Sequence, residues 1–268
     1  MIRDIRLVDS ITQPTEAQGA VIVAGSHGGI SSGRYAAQLG PAGVIFNDAG
    51  IGKNGAGVEA LAYLDGFNLP AATVDYQSAQ IGDGVDMAQL GSISHINKTA
   101  DKCGCEVGQH ALQCAGTMHD EQMEPVSADV NGETNQAGIL SGETPVWTLD
   151  SIGLISKEHV GSIVITGSHG ERFAGELDSY IQTNIAGITL FDAGIGKDCA
   201  GIGRLDTMDE KAIPAATVDV STACIGDAAS AWRTGVFSRV NDTATSMGIL
   251  PKDSCSDFVE KIQESKDD

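Results

Sequence analysis

Short apolar runs alternate with polar stretches along most of the chain. Three of these runs, Gly19–Ala24, Ala42–Phe46 and Ala71–Val74, contain no charged residue, and each ends at a glycine or a polar residue. Such runs are typical of parallel strands that are buried on both faces. The intervening stretches Ser32–Leu39 and Gly57–Phe67 have helical character. Alternating strands and helices predict an α/β fold with an open, mostly parallel sheet and right-handed crossovers.

Two further helices are expected from apolar spacing and charge. The stretch Gly91–Gly104 is predicted to be helical because its apolar residues recur every three or four positions. The second half of the chain keeps apolar residues at the same places, namely Phe237, Val240, Ala244 and Met247. The charged stretch Pro251–Asp268 is predicted to form a terminal helix with a frayed acidic end.

The same motifs occur twice in the same order, 141 to 144 residues apart. The matching pairs are Gly25–Gly28 with Gly167–Gly170, Asp48–Lys53 with Asp192–Lys197, Pro70–Asp75 with Pro214–Asp219, Ile81–Asp83 with Ile225–Asp227, and Asp9–Ile11 with Asp150–Ile152. We therefore predict two tandem repeats of a βαβαβ-type unit, related by a pseudo-twofold axis. The expected division is a first repeat over 1–105, a linker or insertion over 106–145, a second repeat over 146–250 and a charged tail over 251–268.

The net charge of the chain indicates which partners to expect more than it indicates a fold. The chain of 268 residues has 36 acidic and 16 basic residues and a formal net charge of −20. Such a surface repels nucleic acid and anionic membranes, so neither is an expected partner. The acidity has two explanations, solubility or a saline habitat, which the sequence leaves open. Met1–Ser10 contains no apolar signal region, and no apolar run approaches the ~18 residues of a membrane span, so a cytoplasmic location is predicted.

The candidate chemistry lies in the repeated polar residues at predicted strand ends, where α/β sheets bind ligands. His27 is a candidate general acid or base, and Ser26 a candidate nucleophile, although neighbouring residues of an extended strand face opposite ways. The backbone N–H groups of Gly28 and Gly29 are candidates for holding negative charge. Alternatively, these serine and glycine residues only build the turn.

Asp48 is expected to orient His27, or else to cap the turn that follows it. In the second half, Ser168, His169 and Asp192 occupy the same motif positions. The expected substrate-binding residues besides the two glycines are polar or charged: Asn47, Lys53, Asp75, Ser78, Ser168, Lys197 and Asp219. No cofactor is indicated, and a divalent metal held by His27, Asp48 and Asp75 is the less favoured alternative. Cys103, Cys105 and Cys114 lack zinc-site spacing and are expected to be reduced thiols.

Each half resembles, over a short segment, the layout of caspase-like and clostripain-like peptidases. In that family one strand ends in His-Gly and a following strand ends in Asp-Ala-Cys. Here the family's histidine falls on His27 and His169, and its nucleophilic cysteine falls on Gly50 and Gly194. The resemblance supplies no nucleophile, so peptidase activity is not expected.

The function that these patterns favour is hydrolysis of a small polar or anionic metabolite at a His/Asp site between the repeats. The alternatives are a non-catalytic module that binds a small anion or metabolite, and a structural assembly protein. The halves differ at Gly29 against Glu171 and at Asn47 against Phe191, which favours the first half slightly over a composite site. His95 is likewise replaced by Arg239. Homo-oligomer formation is also expected.

Overall fold

A computed structural model describes residues 4–13, 16–121, 135–172 and 184–267. The chain forms two compact units. Unit 1 comprises Met1–Ile51, Gly55–Gly132 and Gly196–Asp198, and unit 2 comprises Gly52–Asn54, Glu133–Ile195 and Cys199–Asp268. Each unit therefore includes a short lysine-containing segment from the sequence half that mainly builds the other unit. Part of the predicted linker, residues 122–134, lies outside the described residues.

Unit 1 is built on a five-stranded sheet. Its strands, in spatial and sequence order, are β1 (Ile5–Val8), β2 (Val21–His27), β3 (Gly43–Asn47), β4 (Ala71–Val74) and β5 (Ile93–Ile96). The first four strands are parallel, and β5 runs antiparallel to β4. Every residue of β2, β3 and β4 is buried, which explains their uninterrupted apolar sequences.

Helices cover both faces of this sheet. They are α1 (Ile30–Leu39), α2 (Glu59–Asp65), α3 (Gly84–Leu90), α4 (Lys98–Lys102) and α5 (Ala111–Asp120). Successive side chains of a strand point to opposite faces. Accordingly, Ile22 and Ala24 join the apolar cluster that contains α1 and α2, whereas Val21 and Val23 join the cluster that contains α3 and α5.

Unit 2 is built on a six-stranded sheet. Its strands are β6 (Gln136–Leu140), β7 (Val146–Leu149), β8 (Ile163–His169), β9 (Gly187–Phe191), β10 (Ala215–Val218) and β11 (Phe237–Val240), and they lie side by side in this order. Strands β7 to β10 are parallel, and β6 and β11 are antiparallel edges. The helices are α6 (Arg204–Glu210), α7 (Ala228–Thr234), α8 (Asp242–Ser246) and α9 (Cys255–Asp267). The α/β class with mostly parallel sheets is confirmed.

The prediction of one helix over Gly91–Gly104 is wrong. Gly91 is extended after α3, β5 follows at Ile93–Ile96, and a new helix begins at Lys98. A local interaction separates the strand from the helix. The side chain of Asn97 accepts a hydrogen bond from the N–H of Ala100 and caps α4, so a new helix begins there. A strand of four residues is too short for its apolar spacing to differ clearly from that of a helix. The predicted terminal helix is confirmed as α9.

No helix within the described residues is both long and apolar enough to cross a membrane. The longest of those helices, α9, has 13 residues.

Candidate functional site

The side chains of Ser26 and His27, at the end of β2, both accept hydrogen bonds from the backbone. The Ser26 Oγ accepts from the N–H of Ile11 at 3.0 Å, and the His27 Nδ1 accepts from the N–H of Gly29 at 3.1 Å. Because a backbone amide can only donate, the proton of the neutral His27 ring lies on Nε2. Burial lowers the pKa of His27 to about 4. At neutral pH the ring is therefore an uncharged hydrogen-bond donor.

The glycines after His27 are explained by close packing. The N–H of Gly28 donates to the carbonyl of Asn47 at 2.8 Å, and that of Gly29 donates to His27. Both N–H groups predicted to hold negative charge are therefore already bonded within unit 1. A Cβ atom on Gly28 would lie 2.6 Å from the carbonyl oxygen of Gly57, so a larger residue does not fit there.

Asp48 follows β3 and is 3% exposed. Its Oδ1 accepts from the N–H groups of Gly50 and Tyr76, each at 3.1 Å. Burial raises the pKa of Asp48, the nearby charge of Asp75 raises it further, and hydrogen bonds from the Ser94 side chain and the two amides oppose the rise. The predicted hydrogen bond between Asp48 and His27 is not formed, since this carboxyl accepts its hydrogen bonds from Gly50 and Tyr76.

Three other predicted residues of unit 1 bond to the backbone of their own loops. Asn47 is fully buried, and its Oδ1 accepts from the N–H of Ala49 at 2.9 Å. The hydroxyl of Ser78 donates to the carbonyl of Asp75 at 2.8 Å. The Asp75 Oδ1 accepts from the N–H of Gln77 at 2.7 Å. Asn47 and Ser78 thus organise loops, whereas the charge of Asp75 also acts on Asp48.

A β-bulge brings two unpredicted residues to Asp48. In the register of β4 and β5, Val74 pairs with Ile93 and Thr73 pairs with His95, which leaves Ser94 as the extra residue. Bulges redirect side chains and are common beside active sites. The Ser94 Oγ lies 3.0 Å from the Thr73 Oγ1 and 3.1 Å from the His95 Nδ1. The Ser94 Oγ also donates to the Thr73 carbonyl at 3.3 Å, and the Ser94 side chain lowers the pKa of Asp48.

Both new residues are partly exposed. Sequence reasoning missed them because this stretch was assigned to a helix, on which their proximity to Asp48 could not be foreseen. Two signals were available: the pair of polar residues between Ile93 and Ile96, and the replacement of His95 by Arg239.

Unit 2 contains a similar arrangement without the imidazole. The Asp192 Oδ1 accepts from the N–H groups of Gly194 and Val220, at 3.0 and 3.1 Å. Burial raises the pKa of Asp192 and the charge of Asp219 adds to the rise, while the Ser238 side chain and the two amides oppose it.

Ser238 occupies the bulge of β11, and its Oγ lies 3.2 Å from the Thr217 Oγ1. The next residue is Arg239, whose Nη1 donates to the carbonyl of Ser238 rather than to its hydroxyl.

The predicted turn residues of unit 2 behave as those of unit 1 do. The Ser168 Oγ accepts from the N–H of Ile152 at 2.9 Å, and the His169 Nδ1 accepts from the N–H of Glu171 at 3.3 Å. The Asp219 Oδ1 accepts from the N–H of Ser221 at 2.8 Å.

Both predicted lysines are bonded to protein groups. The Nζ of Lys53 donates to the carbonyl of Thr222 at 2.9 Å and to the hydroxyl of Thr234 at 3.0 Å, all within unit 2. The Nζ of Lys197 forms an ion pair with Asp86 at 2.7 Å, within unit 1. In this arrangement each lysine stabilises its unit, and neither donates a hydrogen bond to Asp48 or Asp192.

Among the described residues, no group of three or more His, Cys, Asp or Glu side chains could hold a metal ion. The groups around Asp48 are a second carboxyl, hydroxyls and an imidazole, all of which can exchange protons. Comparisons with protein-family models, with curated proteins and with solved structures give no match to this chain.

Proposed function

We propose that the chain is a hydrolase of small polar or anionic metabolites, with its acid–base site in unit 1 around Asp48. The observation that carries the proposal is a buried carboxyl of raised pKa that shares its surroundings with a second carboxyl, Asp75, and with the Ser94 hydroxyl. Structural carboxylates that only cap a turn are usually satisfied by amides and solvent. The Ser94 hydroxyl, 3.1 Å from the His95 Nδ1, adds a group that can react.

The environment of Asp48 suits proton transfer. A general acid or base is most effective when its pKa lies near the working pH, and enzymes raise carboxyl pKa values by burial. In this proposal Asp48 exchanges the proton of the attacking group. His27 contributes as a neutral donor through Nε2–H and not as a base, because its pKa is lowered by burial.

The same proposal includes a tandem duplication. Strands β1 to β5 and β7 to β11 follow the same order, and both series end in an antiparallel, bulged strand. The repeated motifs place a buried aspartate, a threonine and a bulge serine in each unit. The net charge of −20 favours a small ligand over nucleic acid or an anionic membrane. A cytoplasmic location and homo-oligomer formation stay predictions from the sequence.

A panel of chromogenic esters, amides and lactones tests the proposal on the purified protein. Wild-type protein should turn over at least one class, and Asp48→Asn should lower kcat/KM about 100-fold or more, because a general acid–base group contributes that much. Asp83→Asn is a matched control, since it changes a carboxyl of the same unit that only caps α3. The kcat/KM of Asp83→Asn should stay within about twofold of the wild-type value.

Two results would overturn the proposal. One is unchanged turnover in Asp48→Asn, and the other is loss of turnover in Asp192→Asn alone, which would transfer the reaction to unit 2. A non-catalytic binding module is the second candidate function. It is favoured by the Asp48 carboxyl accepting two backbone amides, a bonding pattern that organises a loop without chemistry. Saturable thermal stabilisation by a metabolite, without turnover of any panel member, would select this alternative.

A further inference from the structure

The bulge in β5 gives unit 1 a hydroxyl within hydrogen-bond reach of an imidazole. The Ser94 Oγ lies 3.1 Å from the His95 Nδ1 and 3.0 Å from the Thr73 Oγ1, and it donates to the Thr73 carbonyl at 3.3 Å. A nucleophile and a base within hydrogen-bond reach of each other are the central pair in covalent catalysis by serine. Ser94 and His95 are both partly exposed, so a small molecule can reach them.

We propose that Ser94 is a covalent nucleophile, that His95 is its catalytic base, and that the substrates are carboxylic esters or amides. This inference rests on the proposed function. In regular β structure, neighbouring side chains point to opposite faces, so a serine and the next histidine cannot meet. The bulge removes that restriction, because Ser94 is the unpaired residue of β5 and its hydroxyl meets the next imidazole.

The reaction has two balanced steps. In the first, the Ser94 Oγ forms a bond to the substrate carbonyl carbon while its proton passes to His95 Nδ1. The bond to the leaving alcohol or amine then breaks, and His95 returns the proton to that group. In the second, water attacks the acyl–Ser94 carbonyl and gives a proton to the Asp48 carboxylate. The C–Oγ bond breaks, and Asp48, whose pKa the Ser94 side chain affects, returns the proton to the Ser94 Oγ.

Unit 2 supplies a natural comparison for this assignment. Ser238 stands in the corresponding bulge, 3.2 Å from the Thr217 hydroxyl, and lowers the pKa of Asp192, but the next residue is Arg239. A guanidinium does not lose its proton in proteins and so cannot act as a base. The proposal therefore assigns acylation to Ser94 and none to Ser238.

Acylation by p-nitrophenyl acetate, with the modified residue located by mass spectrometry, is the test. Wild-type protein should release a burst of nitrophenolate, and the Asp48→Asn variant should accumulate an acetyl group on Ser94 because deacylation is slowed. Ser94→Ala and His95→Arg should show no such adduct, and their acylation rates should be lower than that of wild type by about 100-fold or more. Ser238→Ala, a matched serine change outside the site, should acylate like wild type.

The two proposals fail differently. An unmodified Ser94 in Asp48→Asn, together with normal turnover by Ser94→Ala, would overturn the nucleophile while leaving the hydrolase intact. Stoichiometric acylation of Ser94 without ester or amide turnover would leave the nucleophile standing and remove the hydrolase. Equal acylation of Ser94 and Ser238 would overturn the role of His95. Circular dichroism of each variant checks that it is folded, and His95→Gln is a second variant that removes the base without adding charge.

Discussion

The two units share the residues that hold their loops and differ in a residue able to react. In both, a buried aspartate accepts hydrogen bonds from two backbone amides, and a serine in a β-bulge lowers the pKa of that aspartate. Unit 1 adds His95 beside its serine, whereas unit 2 has Arg239. Repetition of a residue in both units thus accompanies a structural contact, and the departure from repetition marks the candidate chemistry.

The units also differ in the second helix that follows the bulged strand. In unit 1 this helix is α5, where Cys114 is fully buried and the Cys105 thiol donates to its carbonyl at 3.7 Å. In unit 2 it is α9, where Phe258 is fully buried and meets Phe237 edge to face, with ring centroids 5.6 Å apart. The helix α5 thus buries a small thiol where α9 buries a large aromatic ring, so the two residues stabilise their cores unequally.

The largest predicted effect tests this inequality. Phe258→Ala should lower the free energy of unfolding by about 4 kcal/mol, because it removes a buried ring and leaves a cavity. Cys114→Ala should cost about 1 kcal/mol, close to the burial of a single methylene. Urea titrations measure both. Trp147 and Trp232, the two tryptophans of the chain, belong to unit 2, so tryptophan fluorescence follows the unit that Phe258 stabilises.

Equal losses for the two variants would show that the helices contribute alike and would remove the packing contrast. Phe258→Leu is the control, since it keeps most of the apolar volume and should recover more than half of the loss.

The next effect concerns the buried imidazole at the end of β2. The pKa of His27 is lowered to about 4 in the folded chain, against 6.5 for an exposed histidine. Below pH 6.5 the unfolded chain takes up a proton that the folded chain refuses. The stability that His27 contributes is therefore complete above pH 6.5 and is lost as the pH falls towards 4, by about 3 kcal/mol.

Comparison with His27→Gln isolates this contribution. Buried carboxyls with raised pKa values, among them Asp48 and Asp192, bind protons in the folded chain and so oppose the histidine as the pH falls. They are present in both proteins, so the difference in unfolding free energy should shrink between pH 6.5 and 4.5. A pH-independent difference, or a ring whose Nδ1 carries the proton by ¹⁵N NMR at pH 7, would contradict the assigned state.

How far the sequence could predict this molecule depended on the kind of pattern. Strands β2 to β4 were predictable because burial on both faces demands an unbroken apolar run. Strand β5 was not, because four residues carry too little periodicity and Asn97 starts a new helix directly after it. Because β5 was not predicted, its candidate nucleophile Ser94 and candidate base His95 were not predicted either.

Polar residues at strand ends were placed well but their partners were not. The sequence puts Ser26 next to His27 at a turn, yet the hydrogen bond that Ser26 accepts comes from Ile11, 15 residues earlier. A serine that faces a ligand and one that faces a backbone amide have the same local sequence, and only the tertiary structure distinguishes them. The repeated lysines illustrate the same limit, and they provide the smallest of the predicted effects.

Lys53 and Lys197 occupy matching motif positions but have different kinds of partner. Lys197 is paired with Asp86, and the two side chains are 22% and 17% exposed. Lys53 bonds to a neutral carbonyl and a hydroxyl. Lys197→Met should cost about 2 kcal/mol, because it leaves a mostly buried carboxylate without its cation. Lys53→Met should cost about 1 kcal/mol, the typical net value of lost hydrogen bonds to neutral groups.

Salt provides the second measurement, because only one of these interactions is an ion pair. Raising the ionic strength should reduce the difference in unfolding free energy between Lys197→Met and wild type, as measured by urea titration. The corresponding difference for Lys53→Met should not change. The double change Lys197→Met with Asp86→Leu should recover part of the loss, since it removes the unpaired charge together with its partner. A larger loss of stability in Lys53→Met than in Lys197→Met, or a salt-sensitive loss in Lys53→Met, would show that Lys53 makes the stronger electrostatic interaction. Lys53 would then again be a candidate ligand for an anionic substrate group.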